Sequence, residues 1–166
     1  MIDVFRNYTP VENPEFGARK KLIGDAVAQV QSLSLKGKDK QWVIFKCEAI
    51  HVIPDAKGRE TTVAPGDELT KVYDPSDAEA MQDLANDLFT AGITVEPSAA
   101  ENDEALIDMM AESAKGKLVY FRTWAKDKTK EQIEASKPGS PPYFQNINIK
   151  SKNLITPENS VPMLPF

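Results

Sequence analysis

Residues 42–53 read Trp-Val-Ile-Phe-Lys-Cys-Glu-Ala-Ile-His-Val-Ile, without a Gly or Pro and rich in β-branched and aromatic side chains. A run of this kind is a strand, and it commits the chain to a sheet. Side chains alternate across a strand. Val43, Phe45, Cys47 and Ala49 therefore share one face, and Trp42, Ile44, Lys46, Glu48 and Ile50 share the other. Pro54 stops the run, and residues 54–59 form a loop.

Residues 117–126 repeat the signal with a different chemistry. Val119, Phe121, Thr123 and Ala125 suit a core, whereas Tyr120, Arg122, Trp124 and Lys126 fall on the opposite face. Aromatic and cationic side chains alternate there, as a platform for stacked bases and paired phosphates requires. The competing reading is a core strand whose second face is covered by a loop.

Three further strands follow from the pattern. Residues 25–35 alternate, with Val27, Leu33 and Leu35 at one parity and Ala26, Ala28 and Val30 at the other. The Lys-rich turn 36–40, with Lys38 and Lys40, makes a basic hairpin tip before Trp42. Residues 61–73 are extended and interrupted by Pro65-Gly66. Residues 143–150 turn Ile147 and Ile149 inward and Phe144, Asn146, Asn148 and Lys150 outward.

Between the third and fourth strands the period changes to that of helices. Asp74 and Pro75 suit a helix start, Met81, Leu84, Ala85 and Leu88 follow at helical spacing, and Gly92 suits a left-handed cap. A second helix is expected over 102–115, with Leu106, Ile107, Met110 and Ala114 on one side and Gly116 as its stop. Residues 127–142 are polar and rich in Lys, including Lys128 and Lys130. They read as a long mobile loop holding at most one helical turn near 131–135.

The net charge of −5 hides a segregation. Residues 72–114 contain eleven Asp or Glu and no Lys or Arg. All 20 basic residues therefore lie elsewhere, with the other 14 of the 25 acidic ones. Residues 115–152 hold nine basic residues against three acidic. An acidic helical block thus sits beside basic strands. Cys47 and His51 are the sole members of their types, which excludes an intrachain disulfide and a Cys/His zinc cluster. They share a parity on one strand and read as core or half-buried residues. No Gly-rich phosphate loop is present, and the acidic residues of the helices read as a solvated face. No enzyme activity and no cofactor are expected. With no signal-peptide layout at Met1 and no apolar run long enough to cross a bilayer, the expected location is the cytoplasm.

Five short strands with helices between the third and fourth is the order of the OB-fold, a five-stranded Greek-key barrel. The expectation is an α+β, mainly β fold. It comprises an arm over 1–21, a barrel over 22–152 with two inserted helices, and a Pro-rich tail over 153–166, expected to be extended and exposed because proline supplies no backbone donor to a sheet. Residues 22–152 resemble the OB-fold single-stranded DNA-binding proteins encoded by bacteriophages. The resemblance rests on the strand 42–53, the acidic helix ending Leu88-Phe89-Thr90-Ala91-Gly92-Ile93 and the closing strands. The tip Leu164-Pro165-Phe166 is similar to the C-terminal tip of bacterial and some phage members, without the Asp run that normally precedes it.

The resemblance implies binding of single-stranded DNA without strong sequence preference, protecting it in replication or recombination in a host cytoplasm. The candidate contacts are Tyr120, Arg122, Trp124, Lys126, Trp42, Lys46, Lys38, Lys40, Lys128, Lys130, Phe144 and Lys150. The tip, with Phe166 as apolar anchor, is the candidate contact for replication or repair proteins. Edge strands offer a route to a homodimer. The alternative function is a protein-interaction or inhibitor module that uses its acidic helices against a host protein.

Overall fold

The computed structural model describes residues 20–95 and 101–163. The expected arm, apart from Lys20 and Lys21, and the tip Leu164-Pro165-Phe166 lie outside the described residues. The elements are β1 (Gly24–Lys36), β2 (Trp42–Ile53), β3 (Glu68–Tyr73), α1 (Ala78–Thr90), α2 (Asp103–Ala114), β4 (Leu118–Asp127), α3 (Lys130–Ala135) and β5 (Tyr143–Lys150). A 3₁₀ turn, Lys152–Leu154, follows. All strand pairs are antiparallel, and the sheet order is β3-β2-β1-β4-β5. The fold is α+β and mainly β, an open five-stranded antiparallel sheet with helices. No helix among the described residues is long and apolar enough to cross a membrane.

Two irregularities in the β1–β2 ladder set which side chains reach the core. Gln31 is an extra residue in β1, between the pairs Val30–Cys47 and Ser32–Lys46. Ile50 is an extra residue in β2, between Ala28–Ala49 and Val27–His51. A bulge reverses the facing of the residues beyond it. Simple alternation puts Val30 and Leu33 on opposite faces, yet both are buried in the core with Ala26 and Ala28. Likewise Cys47 lies in the core, whereas His51, expected on the same face, sits beyond the Ile50 bulge and pairs with Val27.

Phe45, Leu69, Leu84 and Phe121 are among the largest fully buried side chains. Helix α1 packs against β3 and β5 through a face that buries Leu84 and Leu88, and α2 packs Ile107, Met110 and Ala114 against β1. The N-cap of α1 is Asp77, whose carboxylate accepts from Glu79 N, and not Asp74. Asp74 instead accepts from Ser76 N and Oγ and pairs with Lys40 at 2.9 Å. At the other end, Gly92 adopts φ +79°. Its amide donates to Phe89 O at 3.0 Å and that of Ile93 to Leu88 O at 2.8 Å, a paired left-handed cap.

The outer edges of the sheet, β3 and β5, face each other without a hydrogen-bonded ladder among the described residues. Residues 20–23 occupy the space between them. Gln145 brackets Leu22, accepting its amide and donating to its carbonyl at 2.8 Å each. Ile23 O accepts from Thr62 N and Val63 N. A cleft of about 250 Å³ remains, lined by Leu22, Glu68, Thr70, Gln145 and Ile147.

One segment meets the sequence expectation and one differs. Residues 127–142, with a helical turn expected near 131–135, contain α3 there, started by a capping box in which Thr129 and Gln132 satisfy each other's amides. Its ends are tied by Lys128 N donating to Pro142 O at 3.0 Å. The tail, expected as an extended exposed segment, turns over Thr156 and Asn159 and returns to the sheet. Met163 N donates to Ile50 O at 2.7 Å, Val52 N donates to Met163 Sδ at 3.2 Å, and His51 Nδ1 donates to Val161 O at 3.0 Å. The physical reason is an open edge. The β3 ladder on β2 ends at Glu48, so the groups at Ile50 and Val52 need another partner.

Candidate nucleic-acid interface

The register places the outer face of β4 and its neighbours as a grid. His51, Val27, Tyr120 and Lys150 are partners across four strands, and Ile53, Asp25, Arg122 and Asn148 form the next row. Trp124 pairs with Asn146 and Lys126 with Phe144. Trp124 and Phe144 are thus diagonal neighbours, a relation that puts residues about 7–8 Å apart, within reach of aromatic side chains. Both rings are open to solvent, at 40% and 44% exposure. The Lys128 ammonium lies 5.1 Å from the centre of the Phe144 ring. Lys126 and Lys130 are exposed on the same hairpin.

Tyr120 is not part of the open surface. It is 6% exposed, and its hydroxyl donates to Asp25 Oδ2 at 2.7 Å. Val27 beside it is fully buried yet lies outside the core cluster. Residues 155–163 run from the 3₁₀ turn, which packs against β4, to β2, where Val161 and Met163 meet Ile50, His51 and Val52.

Asp25 organises the second row. Arg122 donates to it twice, from Nε and Nη2, at 3.0 Å each. Burial pushes the Asp25 carboxyl up, but the hydrogen bonds from Arg122 and Tyr120 outweigh it and hold the group below the usual carboxylate range. Burial and the bond to Asp25 push the Tyr120 hydroxyl up to about 12. Arg122 therefore presents a fixed guanidinium whose charge is largely matched.

Next to this row lies a groove of about 550 Å³ between the loop 54–61 and β4, with Arg122 and Trp124 on one wall and Lys57 and Arg59 on the other. Lys57 and Arg59 were missed by the sequence reading. Their signal was the Asp55–Arg59 spacing around Gly58 in a loop already marked by Pro54. Asp55 accepts from Lys57 N, Arg59 N and the Arg59 side chain, which folds the loop onto one carboxylate.

The remaining candidates are elsewhere. Lys40 stands 4.4 Å from the centre of the Trp42 ring, and both sit with Lys38 at the far end of the β1–β2 hairpin. Lys36 pairs with Trp42, whereas Gly24, at the opposite end of β1, pairs with Thr123. The 13-residue β1 separates the two groups by up to about 40 Å at 3.3 Å per residue, less its bends. Lys46 lies between them, 3.8 Å from Glu68. Of the basic run before β1, Lys20 pairs with Asp67 at 2.8 Å and Lys21 pairs with Asp127. Burial pushes the Cys47 thiol up and His51 faces the tail, so the two do not form a nucleophile–base pair.

No protein-family model matches the chain, and no curated protein matches it either.

Proposed function

We propose that this protein binds single-stranded DNA, largely without regard to sequence, on the outer face of β4 and β5, and that it serves replication or recombination of a phage genome. The observation that carries the reading is the exposed diagonal pair Trp124 and Phe144, flanked by Lys126 and Lys128. Each stacked base contributes about 1–3 kcal/mol on such rings. The surrounding Lys groups release counterions when phosphates displace them. The order β3-β2-β1-β4-β5, with an inserted helix packed against both edge strands, supports an OB-type barrel whose seam lies between β3 and β5.

The experiment uses intrinsic fluorescence. The chain has two Trp residues, so Trp42→Phe leaves Trp124 as the only reporter. Titration with an oligonucleotide is expected to quench that signal in a salt-dependent way. Absence of both quenching and binding by an independent method removes the reading.

One observation favours a second reading. Phe89, on the acidic helix α1, is 85% exposed, the most open large apolar side chain among the described residues. An apolar anchor amid carboxylates suits a basic protein partner. Binding of oligonucleotide unaffected by Trp124→Ala, together with loss of a protein complex in Phe89→Ala, would favour it.

A further inference from the structure

The groove between the loop 54–61 and β4 has features that a generic strand platform does not need. Two arginines line it, and each is locked in the same way. Arg122 gives Nε and Nη2 to Asp25, and Arg59 gives Nε and Nη2 to Asp55 at 3.1 and 2.9 Å. A guanidinium has five donors in a rigid plane. A carboxylate on the Nε side leaves the Nη1–Nη2 edge as a second fork, pre-oriented for a two-acceptor ligand. Both guanidinium groups belong to residues that line the same groove.

Two ligands fit such a fork, a phosphate and the edge of a guanine base. Charge decides between them. The groove carries Lys57, Arg59 and Arg122 against Asp25, Asp55 and Glu60, so it offers no net attraction to an anion. A base is neutral and is read by fixed dipoles. Guanine presents two adjacent acceptors, O6 and N7, whereas adenine presents a donor beside its N7. The open Trp124 ring at the groove wall supplies the stacking surface. The volume, about 550 Å³, falls within the range of small-ligand sites. In a single strand, turning one base out of the stack is least costly.

We infer that this groove takes one extruded guanine base of the bound strand, its O6 and N7 held by the free fork of Arg122 and its O6 also by one N–H of Arg59, against Trp124. The inference rests on the single-stranded DNA reading and adds to it a preference at one position.

The test compares an all-thymine oligonucleotide with the same oligonucleotide carrying one central guanine. The guanine strand is expected to bind about tenfold more tightly, within the range of a bidentate contact. In Arg122→Lys, which keeps the charge and loses the fork, the ratio between strands is expected to fall to about one, and in Arg59→Lys to about three. Arg59 is exposed on a loop, so its variant serves if Arg122→Lys lowers the melting temperature. Equal affinities in the unaltered protein overturn the inference. So does a guanine preference that survives both substitutions while both strands weaken together, which would make the forks phosphate ligands. Failure of both strands to bind overturns the nucleic-acid reading instead, and the guanine pocket with it.

Discussion

Met163 donates its backbone amide to the Ile50 carbonyl at 2.7 Å, and its sulfur accepts from Val52 N at 3.2 Å. One residue of the tail thus satisfies two groups on the edge of β2 that β3 leaves bare. An intramolecular hydrogen bond contributes about 0.5–1.5 kcal/mol net, and removal of the apolar side chains that lie on this edge adds to this. Deletion of residues 162–166 is therefore expected to lower the urea midpoint, by about 1–3 kcal/mol of stability. An unchanged midpoint would show that the tail contributes nothing to the fold.

Trp124 and Tyr120 share a strand face but have opposite roles. Trp124 is 40% exposed and Tyr120 is 6% exposed. Trp124→Ala should leave stability within about 0.5 kcal/mol while weakening oligonucleotide binding by about 1–3 kcal/mol. Tyr120→Ala should cost about 3–5 kcal/mol of stability, as for a large buried aromatic. Chemical denaturation and binding titrations on the same two variants separate the roles. A destabilised Trp124→Ala or a stable Tyr120→Ala would reverse the assignment.

The contrast shows what the sequence revealed and what it did not. Inward residues of β4 and β5, such as Phe121 and Ile149, follow from alternation and are buried. Helix ends followed from local chemistry at Gly92 and Gly116, both with positive φ. Alternation failed at Gln31 and Ile50, because a bulge is set by pairing with another strand and leaves no mark in its own segment. It assigned Tyr120 a face but not an exposure, since burial depends on what packs over that face, and the hydroxyl finds its partner, Asp25, 95 residues earlier in the chain. The pairing of Arg122 with Asp25, |i−j| of 97, was invisible for the same reason.

The Tyr120–Asp25–Arg122 unit should give stability two pH limits. Asp25 has a folded pKa below its ordinary value. Its contribution is present above about pH 4 and is lost as the pH falls through the lowered value. Tyr120 has a folded pKa raised to about 12. Its contribution is complete below about pH 10 and is lost as the pH rises from there to the folded value. Asp25→Asn should abolish the acid limb attributable to this site and lower the pH at which tyrosinate absorbance develops. Superimposable acid limbs in the two proteins would show that Asp25 is not a stabilising carboxylate.

Two sets of lysines test where the strand lies. Lys126, Lys128 and Lys130 surround the Trp124–Phe144 pair, whereas Lys38 and Lys40 stand at the other end of β1. Lys40 is already committed to Asp74 and to the Trp42 ring. Lys128 donates to Ser136 at 2.9 Å and must give up that bond to meet a phosphate, whereas the Lys126 and Lys130 side chains make no hydrogen bond or ion pair among the described residues. Each lost phosphate contact reduces the log–log salt slope by about 0.7 for a single strand. Changing Lys126, Lys128 and Lys130 to Gln is expected to flatten the slope by about 1.4–2, and changing Lys38 and Lys40 to leave it unchanged for short oligonucleotides. Titrations across a range of salt concentrations measure both. Flattening by the Lys38 and Lys40 pair alone would move the interface to the β1–β2 hairpin and make Trp42, not Trp124, its stacking residue.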